Sequence, residues 1–181
     1  MRLELLGLTV MNHFEVFELP IRFGIDEAAL QKRFYELSRE NHPDRFAGQG
    51  PLAVQASLEK MSRVNQAYTV LKDRRSRRAH VLGLVVSEPK QKAAIPLELA
   101  ESWFELQDAL LEGGMEAKIR LAAFRIQLET FRNDCESEAE RLERAFDQGE
   151  APAAVQLARL LREQTYLESL SRDLDSKMGT G

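Results

Sequence analysis

The stretch Leu30-Gln31-Lys32-Arg33-Phe34-Tyr35-Glu36-Leu37-Ser38-Arg39-Glu40-Asn41-His42-Pro43-Asp44-Arg45-Phe46 decides how this chain is read. Its apolar residues Leu30, Phe34 and Leu37 return at gaps of four and three, the spacing that places them on one side of an α-helix. Asp26 stands where its carboxylate can accept an orphaned N–H of the first turn. The helix must stop near Asn41, because Pro43 disfavours helical geometry at His42. Proline also fixes one backbone dihedral and removes a donor, so His42-Pro43-Asp44 is expected to hold an imidazole and a carboxylate in a constrained orientation at a helix end. By itself such a string is more often a plain helix stop followed by an Asp turn.

The residues on either side change that weighting. At about 100° per residue, Lys32 and Arg39 project opposite the Leu30, Phe34, Leu37 stripe, with Arg33 at its flank. A basic surface therefore leads up to the tripeptide, suited to steering an acidic partner. Downstream, Val54, Leu58, Met61, Val64, Tyr68 and Leu71 form a second helical stripe. The connection from His42 to Ala53 holds Gly48, Gly50 and Pro51 and is longer than the roughly 2–8 residues that join helices in compact bundles.

Working outward, a short helix is expected around Phe14 to Phe17, and residues 12–82 form a first domain after an extension at 1–11. Segment 83–95, with Gly83, Pro89, Lys90 and Lys92, reads as a linker. Three helices follow over 96–178. The first carries Leu99, Trp103, Leu106 and Leu110 and ends at Gly113-Gly114. The second repeats Leu121, Phe124, Leu128, Phe131, Cys135, Ala139, Leu142 and Phe146, and the third has Leu157, Leu160, Leu167 and Leu174 on one side. Such near-heptad patterns suit antiparallel helices, so this half is expected to be a three-helix bundle. No run shows the period-two alternation of a half-buried strand, and the fold class is all-α.

Composition narrows function further. With 181 residues and 44% apolar content the chain can bury a real core. A single cysteine, Cys135, excludes an internal disulfide or a cysteine cluster for zinc or iron, and a reducing cytoplasm fits. On its helical stripe Cys135 reads as a small buried hydrophobe. Residues 1–80 hold 13 Lys and Arg against 10 Asp and Glu, and residues 81–181 hold 12 against 19, so a mildly basic module precedes an acidic one. That imbalance does not point to nucleic acid. Arg74, Arg75, Arg77 and Arg78 are read as complementing the negative end of a helix. His13 and His80 have no metal-ligand partners at short spacing. The apolar opening from Leu3 to Val10 lacks the features of a signal peptide, with Met11 an equally good start, and no run approaches the roughly 18 apolar residues of a membrane span.

Taken together, a helix, a basic helix, the His-Pro-Asp loop and a helix containing Asn65-Gln66-Ala67-Tyr68 and Leu71 resemble a J domain over roughly residues 12–80. The resemblance implies that Lys32, Arg33, Arg39, His42, Pro43 and Asp44 dock on a DnaK/HscA-type chaperone and trigger its ATPase, while this chain performs no chemistry. Neither a Gly/Phe-rich linker nor cysteine-rich repeats follow. A J domain joined directly to an acidic three-helix bundle, with Phe14-Glu15-Val16-Phe17-Glu18-Leu19-Pro20 at the start and Arg45-Phe46 after the tripeptide, is similar to the HscB family, dedicated co-chaperones of iron-sulfur cluster assembly. Some eukaryotic relatives carry a cysteine-rich segment that is not seen here, so a bacterial, cytoplasmic type is expected. That resemblance covers nearly the whole chain.

Through it, the bundle is expected to bind an IscU-type scaffold protein, with Ala100, Glu101, Phe104, Glu105, Asp108 and Tyr166 at or beside the contact positions. Family members often carry larger apolar residues where Ala100 and Glu101 stand. Helical geometry agrees in part, since Phe104 and Tyr166 fall off the core stripes, although either ring is also consistent with a broadened core. The resemblance implies no cofactor, no bound metal, no membrane and a monomer. Two other readings stay open: a general co-chaperone whose bundle holds a different client, and a carrier of iron or of the cluster itself.

Overall fold

The computed structural model describes residues 11–87 and 96–178, with side chains described as far as Leu174. Residues 1–10 of the expected extension (1–11) and residues 88–95 of the expected linker (83–95) lie outside the described residues. Every regular element described is helical, and the chain divides after Ser87 into two compact units.

The first unit contains α1 (His13–Val16), α2 (Glu27–Glu40), a 3-10 helix (Pro43–Gln49), α3 (Pro51–Lys72) and α4 (Arg74–Val85). Asp26 caps α2 by accepting the Ala29 N–H at 3.0 Å. Leu30 of α2 is fully buried, and Phe34 stacks on Tyr68 of α3 with ring centroids 4.2 Å apart. Val64, Ala67 and Leu71 carry the buried side of α3, joined by Phe14, Phe17, Phe23 and Val81 from the flanking elements.

Several local features differ from the sequence reading. The connection after α2 is not an open loop of a dozen residues: Pro43 to Gln49 wind into a 3-10 helix, and α3 begins at Pro51, where a proline lacking its N–H loses nothing. Leu58 is exposed, while Ser57 beside it faces inward. The arginine run opens a new helix, α4, rather than closing α3, because Asp73 breaks the chain and caps Ser76 at 2.7 Å. Gly83 lies inside α4, which continues to Val85: one interior glycine costs about 1 kcal/mol and does not by itself stop a helix anchored by buried Val81.

Arg77 holds this unit together. Its buried guanidinium donates to the carbonyls of Phe23 (2.8 Å), Leu71 and Lys72 (3.4 Å), and lies 3.9 Å from Glu27. It thus satisfies the last carbonyls of α3, as a cation at a helix C-terminus should, but from the helix that follows. His80 makes a second tie, its Nε2 accepting the His13 N–H at 3.1 Å with the two rings 4.5 Å apart. Burial, together with the neighbouring His13, pushes the His80 imidazole down to about 4, so it stays neutral and able to accept.

The second unit contains α5 (Leu97–Glu112), α6 (Gly114–Asp147) and α7 (Pro152–Met178), a three-helix bundle. Leu99 and Leu106 of α5, Phe124 and Leu128 of α6, and Leu167, Leu170 and Leu174 of α7 form one core, with Trp103, Leu110, Leu121 and Phe131 packed against it. The remaining half of α6 pairs with the start of α7 through Cys135, Ala139, Leu142, Ala153, Ala154 and Leu157, all buried. Burial raises the Cys135 thiol pKa above its usual value, which keeps it protonated and inert. No helix among the described residues is long and apolar enough to cross a membrane.

Candidate functional site

At the end of α2 the backbone turns sharply and is tied on three sides. Asn41 caps the helix through its own N–H and its side-chain amide, which donate to the Leu37 carbonyl at 3.0 and 2.8 Å. The inward Ser57 hydroxyl of α3 donates to the Asn41 carbonyl at 3.0 Å, and the Arg45 guanidinium reaches back to the Arg39 carbonyl at 3.4 Å. Between these ties His42 takes an extended conformation, and Pro43 starts the 3-10 helix.

The tripeptide is organised internally as well. The Asp44 N–H donates to His42 Nδ1 at 3.3 Å, which places the proton of a neutral imidazole on Nε2. The same Nδ1 lies 3.4 Å from the Asp44 carboxylate, a contact that becomes an ion pair only if the ring is protonated. Both side chains are exposed and Pro43 is half-buried. The result is an imidazole and a carboxylate held close together and displayed to solvent.

Along α2, Lys32 and Arg39 are exposed. Arg33 is half-buried and engaged, 3.3 Å from Glu18 and 3.5 Å from Glu36, so its charge is partly spent within the unit. Tyr35, which the sequence reading passed over, stands on the same face as Lys32 and Arg39 and is 59% exposed. Its spacing of three and four from those cations was the available signal. The bracing by Asn41, Arg45 and Ser57 was also missed, because it depends on hydrogen bonds across 4 to 16 residues of chain.

In the second unit the six residues singled out on α5 and α7 stand at exposed or half-buried positions. Phe104 is 69% exposed and Tyr166 37% exposed, neither in the core cluster. Glu101 and Asp108 are exposed and Ala100 is half-buried. Glu105 is bonded across to Arg120 of α6 at 2.7 Å, and Arg120 also takes Glu116 at 2.9 Å.

The DnaJ domain family model matches residues 12–80, the span that holds α1 to α4 and the tripeptide. By fold and by this match the chain is a J-domain protein. Over 119 residues it is 38% identical to the co-chaperone protein HscB homolog of Vibrio vulnificus, an alignment covering 63% of this chain and 69% of that protein. With the homolog of Burkholderia multivorans it shares 28% identity over 173 residues, 92% of this chain and 94% of the relative. Among solved structures, the chaperone HscB of Vibrio cholerae superposes with a TM-score of 0.51 at 25% identity, covering 94% of this chain and 99% of that one. Human co-chaperone protein HscB gives 0.55 at 20% identity over 93% and 82%, a likeness of fold. The chain belongs to the HscB family of co-chaperones.

Proposed function

We propose that this protein stimulates the ATPase of a DnaK/HscA-type chaperone through its first unit and delivers an IscU-type scaffold to it through its second, in iron-sulfur cluster assembly in the bacterial cytoplasm. The observation that carries the reading is the tripeptide His42-Pro43-Asp44, displayed at a helix end whose backbone Asn41, Arg45 and Ser57 hold in place. Lys32 and Arg39 steer the encounter with an acidic face on the ATPase domain, and the tripeptide supplies the trigger. The protein itself catalyses nothing; hydrolysis belongs to the partner.

On the second unit Phe104 and Tyr166 supply exposed aromatic area, with Ala100, Glu101, Glu105 and Asp108 around them, a composition suited to a protein interface. Holding the scaffold on the same chain as the ATPase trigger raises its effective concentration at the chaperone, so coupling needs no conformational signal within this protein. The chain acts as a monomer in this scheme.

The test is single-turnover ATP hydrolysis by the purified chaperone with this protein, with and without scaffold, comparing wild type with His42→Gln. Stimulation that is lost in His42→Gln and rises further with scaffold is the expected result. Stimulation that needs His42 but ignores scaffold overturns the client assignment, and no stimulation by wild type overturns the whole reading.

A further inference from the structure

Exposed apolar side chains scattered singly are ordinary on a protein surface, but a line of large ones is not. On α5, Leu97, Phe104 and Leu111 are 72%, 69% and 88% exposed. They lie seven residues apart, so at 100° per residue each falls within about 20° of the next and the three make a straight ridge about 21 Å long. Leu99, Leu106 and Ala109 of the same helix are buried, so the bundle core does not need the ridge.

The flanks of the ridge are of one sign. Helix α5 carries Glu98, Glu101, Glu105, Asp108 and Glu112 and no lysine or arginine. Arg120 of α6 engages Glu105, and one guanidinium does not offset five carboxylates. A comparable line on α6, Met115, Ile119 and Ile126, is flanked by Lys118 and Arg125 as well as Glu116 and Glu129, and so selects no partner charge.

We infer that Leu97, Phe104 and Leu111 form one docking ridge for the scaffold protein, which must present a complementary apolar groove bordered by lysine and arginine. This inference rests on the scaffold reading above and extends it by two residues, Leu97 and Leu111, outside the six positions that family resemblance supplies. The apolar area missing at Ala100 and Glu101 is restored about one turn away at Leu97 and about three turns away at Leu111, on the same face. Charge complementarity along the ridge fixes register and excludes acidic partners, while the leucines supply the area removed from water.

The experiment measures scaffold binding to the full chain by titration calorimetry at low and high salt, for wild type, Phe104→Ala, Leu97→Ser, Leu111→Ser and Ile126→Ser. Each ridge leucine variant is expected to weaken binding by about tenfold, the loss of roughly half a buried leucine. Ile126→Ser should bind as wild type, added salt should weaken binding, and ATPase stimulation without scaffold should be unchanged in every variant. Because all the substituted side chains are exposed, Trp103 fluorescence should report an intact bundle throughout. If Phe104→Ala loses binding while both leucine variants retain it, the ridge is wrong and the scaffold reading stands. If wild type binds no scaffold, the reading beneath the ridge fails first and the ridge falls with it.

Discussion

In the first unit the tripeptide proposed to act stands at a break between helices and its backbone is held by hydrogen bonds from three directions, whereas in the second the proposed residues stand along the faces of two long helices, α5 and α7, with Glu105 tied across to Arg120. The break at His42 is fixed by Asn41, Arg45 and Ser57, so the geometry of a few atoms is specified. The face of α5 specifies only a direction and a charge. A constrained element of the first kind suits an all-or-none trigger, and loss of one group should abolish its effect. A ridge of the second kind suits graded affinity, since each apolar residue adds area and none is indispensable.

The largest test of this contrast lies in the clasp that holds the first unit together. Arg77→Leu removes a buried guanidinium and strands the Phe23 and Leu71 carbonyls, which should cost about 3 kcal/mol. Hydrogen exchange along α3 should then accelerate and stimulation fall, while the lone tryptophan, Trp103 in the bundle, reports an unchanged transition.

The converse variant is Gly113→Ala. Gly113 turns between α5 and α6 at φ +72°, where an added Cβ meets no atom, so the cost is that of the backbone conformation alone, about 2 kcal/mol. Trp103 fluorescence should show an earlier transition, and chaperone stimulation without scaffold should be retained.

Acid separates the two units more gently. His80 is neutral in the fold, its pKa pushed down to about 4 against 6.5 when unfolded, and His13 is lowered by burial in the same direction. The unfolded chain therefore binds more protons in this window. Stability of the first unit is fully present above about pH 6.5 and declines as pH falls from there toward 4. Between pH 7 and pH 5 the folding constant of that unit should fall roughly tenfold, allowing for solvent screening of a ring that is not fully buried. His80→Phe should flatten the profile followed by hydrogen exchange of α3 and α4.

The smallest effect is the most specific. Ser57→Ala deletes one hydrogen bond and leaves the Asn41 carbonyl without that partner, worth about 1 kcal/mol. Stimulation at saturating protein should drop more than stability does, because the bond fixes the approach to His42. Equal stimulation in this variant would mean that the tripeptide orients itself and that the contrast drawn between the two surfaces is overstated.

Much of this was legible before any coordinates. Periodicity in Leu30, Phe34 and Leu37, and in Leu99, Leu106, Phe124 and Leu128, marks helices and their buried sides, because a helix repeats in space what it repeats in sequence. Where the pattern misled, a polar group had gone inward for a hydrogen bond: Ser57 in place of Leu58, and Arg77 in a run that reads as surface charge. No spacing rule announces a guanidinium that caps the carbonyls of the preceding helix. Likewise Phe104 and Tyr166 lie off the core stripes in sequence, but only their packing shows that they are exposed.

The sequence by itself determined the helical class, the placement of His42-Pro43-Asp44 after a basic helix, and the acidic, cation-free character of α5, since these depend on local sterics, periodicity and composition. Only the tertiary structure decided which charges are engaged, as with Arg33 and Glu105, which polar groups brace the tripeptide, and which apolar residues remain outside the core. Those outcomes depend on what the far parts of the chain bring into contact, and a hydrogen bond or a buried surface exists only once both of its sides are in place.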